Sequence, residues 1–329
     1  MVRSVVEPMS VRIGLAQQRS RKHQVRWLFP LAAAVLLWII ACVVVGRISV
    51  GVLLDNVTLA SFVGLAAVAQ MLVIATGEGS FDLSIPYVMV LAAFVSGAVS
   101  GGADKYLVVA VVAGLAAGVG AGVFNGALVV GLRLPPIVAT LATGYIAYTL
   151  VLLMGGGAQL AIAPALVSVS HRSWDGLTFA LPVAIVIWAG VAVLRGQGRY
   201  GVYLHAMGQS RAAAALAGVP VKRMVVWTFV LSATLAAAAG ILLSGYVGGA
   251  FPDMGDPYLI GSVAAVVVGG TSVSGGESAV AATVFGALTM ALLVAVLELS
   301  GAGANVQDIA EGALIIGVVL AVRHGSGRR

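Results

Sequence analysis

The chain reads as an all-α integral membrane protein, a polytopic bundle of about ten transmembrane helices, some of them short or interrupted. Three observations predict this. Apolar stretches recur along nearly the whole chain, which is 60% hydrophobic and only 9% charged, where a soluble domain carries about 25% charged residues. The stretches are long enough, or nearly so, to cross a bilayer core, which takes about 20 residues per helix. The positive charge is one-sided. With a cytoplasmic N-terminus and alternating segments, only Arg47, Lys105 and Arg172 of the 18 Lys and Arg fall outside, the bias expected of cytoplasmic loops.

The candidate segments lie at about 27–46, 57–76, 85–101, 106–132, 136–154, 177–195, 225–248, 259–270, 279–299 and 308–323. Backbone groups cannot stay unpaired in lipid, so these are expected to be helices. Barrel-type alternation over about ten residues is absent from the sequence. Three parts follow: a basic cytoplasmic tail at 1–26, a single transmembrane domain at 27–323 with a cytoplasmic loop at about 196–224, and a short cytoplasmic tail at 324–329.

The tail carries Arg3, Arg12, Arg19, Arg21, Lys22 and Arg26. A signal peptide has a shorter basic region and a small-residue cleavage site, so the apolar run after the tail reads as a retained first helix. Attraction to anionic lipid suffices to explain the tail. The cations flank apolar segments, which is a membrane-orientation pattern and argues against nucleic-acid binding. The single cysteine, Cys42, precludes a disulfide or thiolate metal site within the chain. His23, His171, His205 and His324 fall in loops or ends with no metal-ligand spacing, so no metal is expected.

Segments 85–101 and 259–270 are short and bordered by Gly-rich polar sequence, Gly77-Glu78-Gly79-Ser80-Phe81-Asp82-Leu83-Ser84 and Gly269-Gly270-Thr271-Ser272-Val273-Ser274-Gly275-Gly276-Glu277-Ser278. Paired interrupted segments in two halves of a transporter point to its path, whereas Gly-Ser runs also make ordinary turns. Both readings stand. In the fourth segment Gly114, Gly118, Gly122 and Gly126 form one smooth helical stripe for close helix packing. Asn125 beside it reads as an interhelical hydrogen bond or a solute contact. Leu134-Pro135-Pro136 suits a helix start. Thr140 and Thr143 after it either line a path or bond to the preceding turn.

The loop at 196–224 contains a short helix defined at both ends. Ser210 is an N-cap, residues 211–217 are strong helix formers, Gly218 suits the left-handed position after a helix, and Pro220 stops it. Two turns are unstable alone in water, so the helix needs a surface. Either it packs on its own bundle, or Ala213, Ala214, Leu216 and Ala217 fill a groove in a cytoplasmic partner with Arg211 as a charged rim contact.

Five stretches resemble a known family, the membrane permease subunits of ribose-type ABC sugar importers in the branched-chain and monosaccharide permease superfamily. Gly79-Ser80-Phe81-Asp82-Leu83-Ser84 resembles Gly-Gly-Ile-Asp-Leu-Ser. Phe124-Asn125-Gly126 resembles the family's Asn-Gly pair. The run from Leu134 to Thr143 resembles Pro-Pro-Phe-Ile-x-Thr-Leu-Gly-Thr. Ala206 to Val219 is similar to Ala-Ile-Gly-Gly-Asn-x-x-Ala-Ala-x-x-Ser-Gly-Ile, and Ala264 to Ser272 to Ala-Ala-x-x-Ile-Gly-Gly-Thr-Ser. Their order and spacing together make the match specific. Departures are Ser80 for the second Gly, Phe81 for Ile, Gln209 and Ser210 for Gly-Asn, Val202 where Arg is frequent, and Glu277-Ser278 where a small residue and Gly are usual.

The resemblance implies a subunit of the bacterial cytoplasmic (inner) membrane with both termini cytoplasmic. It implies a second permease copy or paralogue, a separate ABC ATPase that uses ATP and Mg, and an extracytoplasmic sugar-binding protein. No cofactor is expected on this chain and no catalytic residue, since it has no GxxxxGK[ST] loop. Gly208, Ser210, Arg211, Ala213, Ala214, Leu216 and Gly218 would form the coupling helix that docks the ATPase. Asp82, Ser84, Asn125, Thr140 and Thr143 are the candidate pathway residues, with capping as the alternative for Asp82. Competing readings are an ABC permease for a branched-chain amino acid, nucleoside or signalling furanose, and an ion-coupled secondary transporter using Glu298 or Glu311. A membrane-embedded enzyme is disfavoured, because HExxH, GxSxG and paired intramembrane aspartates are missing.

Overall fold

The computed structural model describes residues 27–155, 158–171, 173–174 and 177–326. The basic tail and Arg172 lie outside the described residues. The elements are α1 (Leu28–Val45), α2 (Val50–Ile74), α3 (Ile85–Ser100), α4 (Leu107–Val130), α5 (Pro136–Gly155), α6 (Pro164–His171), a two-residue hairpin β1 (Ser173–Trp174) and β2 (Leu177–Thr178), α7 (Ala180–Gln197), α8 (Arg199–Gln209), α9 (Arg211–Leu216), α10 (Val221–Val247), α11 (Pro257–Val268), α12 (Val280–Leu299) and α13 (Ala304–Ser326).

Each apolar segment read from the sequence coincides with a helix, but the helices are not equal in reach. Among the described residues seven are long and apolar enough to cross a membrane. The α3 helix has 16 residues and α11 has 12. At about 1.5 Å per residue, α11 covers roughly 18 Å of a core about 30 Å thick. Charged residues Asp308 and Glu311 interrupt the apolar character of α13.

The innermost helix is α2. Every residue from Gly64 to Ile74 is buried, as befits a helix apolar all round. Its main neighbours are α12, α10, α11 and α7. The helices α1, α4, α5 and α7 are peripheral and turn large apolar side chains outward, among them Ile39, Val108, Leu153 and Val186. So much exposed apolar surface suits a lipid surround and not water.

The glycine stripe of α4 lies against α10. A Cβ on Gly118 would sit 2.5 Å from the Ala237 Cβ, and one on Gly122 would sit 2.5 Å from the Val230 Cα. Gly114 meets the Ala92 carbonyl of α3 and the Ile241 side chain, and Gly126 meets Val226. Small residues here let two backbones approach closely enough to gain van der Waals contact without a hydrophobic driving force.

Three differences from the sequence reading concern polar connections. The stretch 196–224 is not a loop with one short helix: α8 precedes α9, and α10 already begins at Val221. Tertiary packing of Leu204 and Met207 on the bundle orders α8. The α2 helix begins at Val50, with Ser49 Oγ accepting from Val52 N as its cap. The segment between α5 and α7 contains α6, anchored by Asp104 Oδ1, which accepts from Ala165 N at 2.7 Å.

Candidate functional site: a buried polar node beside an exposed short helix

The turn from α2 to α3 takes ten residues, 75–84, through backbone few side chains tolerate. Gly77, Glu78 and Gly79 have φ of +82°, +56° and +66°. Glycine adopts such angles freely, and glutamate does so at a cost of about 1–2 kcal/mol. This turn carries Asp82 into the protein interior, where it is 2% exposed.

Polar groups from four helices gather around Asp82. Its Oδ1 accepts from Ser84 N at 3.0 Å and from Ser84 Oγ at 2.5 Å, and its Oδ2 accepts from Ser232 Oγ of α10 at 3.0 Å. Asn125 of α4 donates from Nδ2 to Ser84 Oγ at 2.9 Å. The Gln70 amide, with oxygen toward Asp82 N (3.3 Å) and nitrogen toward Asp82 O (2.9 Å), satisfies both backbone groups. Thr140 Oγ1 of α5 accepts from Leu83 N at 3.0 Å and donates to Pro136 O at 2.9 Å. In a low-dielectric interior such a network holds its elements firmly because an unpaired member is costly. Asn125 Oδ1 is the buried polar atom of this node that has no partner.

The structure brings together Asp82, Ser84, Asn125 and Thr140, and adds Gln70 and Ser232. All six are buried, so in this conformation they form a joint and do not line an open channel. Thr143 is separate. Its hydroxyl donates to Ala139 O at 3.0 Å, and it borders a cavity of about 410 Å³ between α3, α4 and α5. That cavity is walled by Leu91, Val95, Phe124, Ile146 and Leu150, without the donors and acceptors a polyhydroxyl solute needs. Gln70 and Ser232 were visible only as polar residues inside apolar runs; nothing local says that they face Asp82.

The α9 helix is capped at both ends. Ser210 Oγ accepts from Ala213 N at 3.2 Å. At the other end Val219 N donates to Ala214 O and Gly218 N to Ala215 O, each at 3.0 Å, with Gly218 at φ +83°. This is the paired closure that makes glycine the favoured residue after a helix. Only Ala214 of α9 is buried, in a cluster with Val73, Met207, Met224, Val225 and Phe229. Leu216 is 92% exposed and adjoins exposed Ala212, Ala213 and Ala217.

Three residues of the expected docking set therefore face inward. Ala214 packs on the bundle. Gly208 lies against Ala75, Gly77 and Gly276, where any side chain would strike backbone. Arg211 is not a rim contact. Its side chain is 17% exposed and ion-pairs with Glu78 Oε2 at 3.0 Å. It also donates to Thr76 Oγ1 at 3.0 Å and Ser80 Oγ at 2.9 Å. Burial lowers the guanidinium pKa and the Glu78 carboxylate opposes that; an arginine stays charged regardless.

The segment between α11 and α12 converges on the same place. Gly276 N donates to Ala75 O at 3.2 Å, His205 Nδ1 pairs with Gly276 O at 2.9 Å, and Arg195 donates to Ser278 O at 2.7 Å. Among the described residues no cluster of His, Cys, Asp or Glu could hold a metal ion. Glu298 is exposed at the end of α12, while Glu311 is buried beside Tyr258 and Gly261 at a cavity of about 210 Å³.

Multiple crossing helices, a buried polar joint and an exposed helix between membrane segments define a multi-pass membrane transport protein. The family model described as branched-chain amino acid transport system / permease component matches residues 52–320, and the chain belongs to that family. It is similar to the fructose import permease protein FrcC of Rhizobium meliloti, 29% identical over 265 residues, 78% of this chain and 73% of that protein. It is 33% identical to the ribose import permease protein RbsC of Bacillus subtilis over 273 residues, 80% of this chain and 82% of that one. The L-arabinose transport system permease protein AraH of Escherichia coli is 29% identical over 265 residues, 80% of each chain. No solved structure matches.

Proposed function

We propose that this chain is the membrane-spanning permease subunit of an ATP-driven importer of a monosaccharide. The observation that carries the reading is the exposed, doubly capped α9 helix with Leu216 at its apex, in a chain similar along most of its length to ribose, fructose and arabinose import permeases. An apolar helix too short to be stable alone and mostly unburied is built for a partner. That partner is a separate ATPase subunit, which binds ATP and Mg. A second permease copy or paralogue completes the pathway, and an extracytoplasmic binding protein selects the sugar.

The reading places the chain in a bacterial cytoplasmic membrane with about ten crossings and both termini cytoplasmic. Sidedness supports it. Three of the four connections assigned to the cytoplasm, 77–84, 196–224 and 271–278, meet one another at Gly77, Gly208 and Gly276. Connections assigned to the opposite side also meet, through Asp104 with Ala165 and through the Leu160–Ala250 bridge. In alternating access the Asp82 node, joining the α2–α3 turn to α4, α5 and α10, is the joint about which the inner gate opens, exposing Asp82, Ser84, Asn125 and Thr140 to the path. Movement requires that ATP and solute bind the two states unequally.

The test is affinity purification of the protein from native membranes in mild detergent, followed by reconstitution. Co-purification of an ATPase and a secreted sugar-binding protein, and ATP-dependent sugar uptake by the assembly, are the expected results. Proton-dependent uptake by the chain alone would overturn the reading.

A further inference from the structure

We infer that Arg211 is the positioning residue that ties movement of α9 to the buried Asp82 node, so that force from the docked ATPase reaches the gate through the α2–α3 turn. The inference rests on the importer reading above.

Covalent connection alone gives α9 little purchase on the bundle, because it buries a single alanine. Its orientation is set by Arg211, its first residue, which reaches across more than 130 positions of sequence to the α2–α3 turn. There it grips side chains and backbone together: Thr76 Oγ1 and Thr76 O, Ser80 Oγ and the Glu78 carboxylate. A planar guanidinium presents several donors in a rigid fork, which a lysine ammonium cannot reproduce.

The turn that Arg211 grips is stiff and under strain. Glu78 and Arg133 are the non-glycine residues with positive φ among the described residues. A glutamate held in left-handed backbone persists when its surroundings over-determine it, and its carboxylate is what Arg211 pairs with. Ser80 Oγ accepts from Arg211 and donates to Gly77 O at 2.8 Å, closing the turn on itself. Two residues on is Asp82, bonded to Ser232 of α10 and, through Ser84, to Asn125 of α4. Displacing α9 therefore displaces the turn, and with it the carboxylate at which α4 and α10 meet. Each step is an ion pair, a hydrogen bond or the short covalent run from Ser80 to Asp82, which is buried at both ends.

The experiment uses the complete importer in proteoliposomes, measuring ATP hydrolysed per sugar delivered and the amount of ATPase subunit retained. In Arg211→Gln the ATPase subunit stays bound, while the ratio of ATP hydrolysed to sugar moved rises about tenfold, within the ordinary range of coupling between sites. Arg211→Lys restores part of the coupling. Combining Arg211→Gln with Asp82→Asn gives a ratio no worse than the more severe single variant, because both break one chain of contacts. An unchanged ratio in Arg211→Gln, strictly additive effects in the double variant, or loss of the ATPase subunit from Arg211→Gln and Arg211→Lys alike would overturn the inference. Failure of the unaltered assembly to couple ATP to uptake would instead strike the importer reading itself.

Discussion

Two glycines on one helix, two residues apart, respond to the same substitution with opposite sign. Gly120 and Gly122 both lie in α4, and each replacement by alanine adds one methyl group. At Gly120 nothing lies within 4 Å of the added Cβ. There alanine only restricts the unfolded chain and improves helix propensity, a gain of about 0.5–1 kcal/mol. At Gly122 the added Cβ falls 2.5 Å from Val230 Cα, 2.6 Å from Phe229 O and 2.9 Å from Val230 N. All three are backbone atoms of α10 and cannot rotate away. Comfortable carbon–carbon contact is about 3.5–4.0 Å, so α4 and α10 must separate by roughly 1 Å at this level. That forfeits close packing along the stripe, and overpacking of this kind costs about 1–3 kcal/mol. Thermal unfolding of purified protein in one detergent, followed by loss of the monodisperse chromatographic peak, reads the difference. Gly120→Ala melts at or slightly above the unaltered protein, and Gly122→Ala melts several degrees below it, at roughly 2–4 °C per kcal/mol. Equal shifts for the two variants would mean that α4 does not meet α10 along this stripe.

Other expectations follow from the site. Asp82→Ala leaves Ser84 N, Ser84 Oγ and Ser232 Oγ without their acceptor and lowers stability by about 2–4 kcal/mol; Asp82→Asn keeps an acceptor and costs less, by the same melting assay. Leu216→Asp alters a side chain that is 92% exposed, so the permease itself keeps its stability to within about 0.5 kcal/mol. ATPase retention in pull-downs falls sharply in the same variant. Gly218→Val forces a β-branched residue to φ +83° at a cost of about 1–2 kcal/mol, loosening α9 and weakening ATPase association while membrane insertion stays intact. Unchanged association in both variants would remove α9 as the docking element.

Much of the architecture was legible in the chain because lipid leaves few options. Each apolar run had to become a helix, and the order of runs had to be the order of helices. The caps of α9 were legible for a related reason: Ser210 and Gly218 act on backbone groups within a few residues of themselves. The α8 helix was hidden, since its sequence is polar enough to read as loop and only burial of Leu204 and Met207 organises it. Among the described residues seven helices meet the length and hydropathy needed to cross a membrane, fewer than the ten apolar segments counted, because a short run such as α11 is apolar without being long.

The site divides in the same way. Asp82, Ser84, Asn125 and Thr140 could be singled out one by one as polar residues beside apolar segments, but their assembly into one joint could not. Ser232 is 150 residues from Asp82 in the chain, and no local pattern connects them. Arg211 shows the limit most clearly. On the sequence it stands beside Ser210 at the start of an exposed helix, where a charged side chain belongs in water. The fold places the α2–α3 turn within reach, and a guanidinium offered a carboxylate and fixed oxygens turns inward. Local backbone chemistry and the insolubility of polar groups in lipid determined the apolar helices, their order and the caps of α9. Which polar groups meet, and hence which residues join the exposed helix to the buried node, was decided only when distant segments packed, because those contacts exist only in three dimensions.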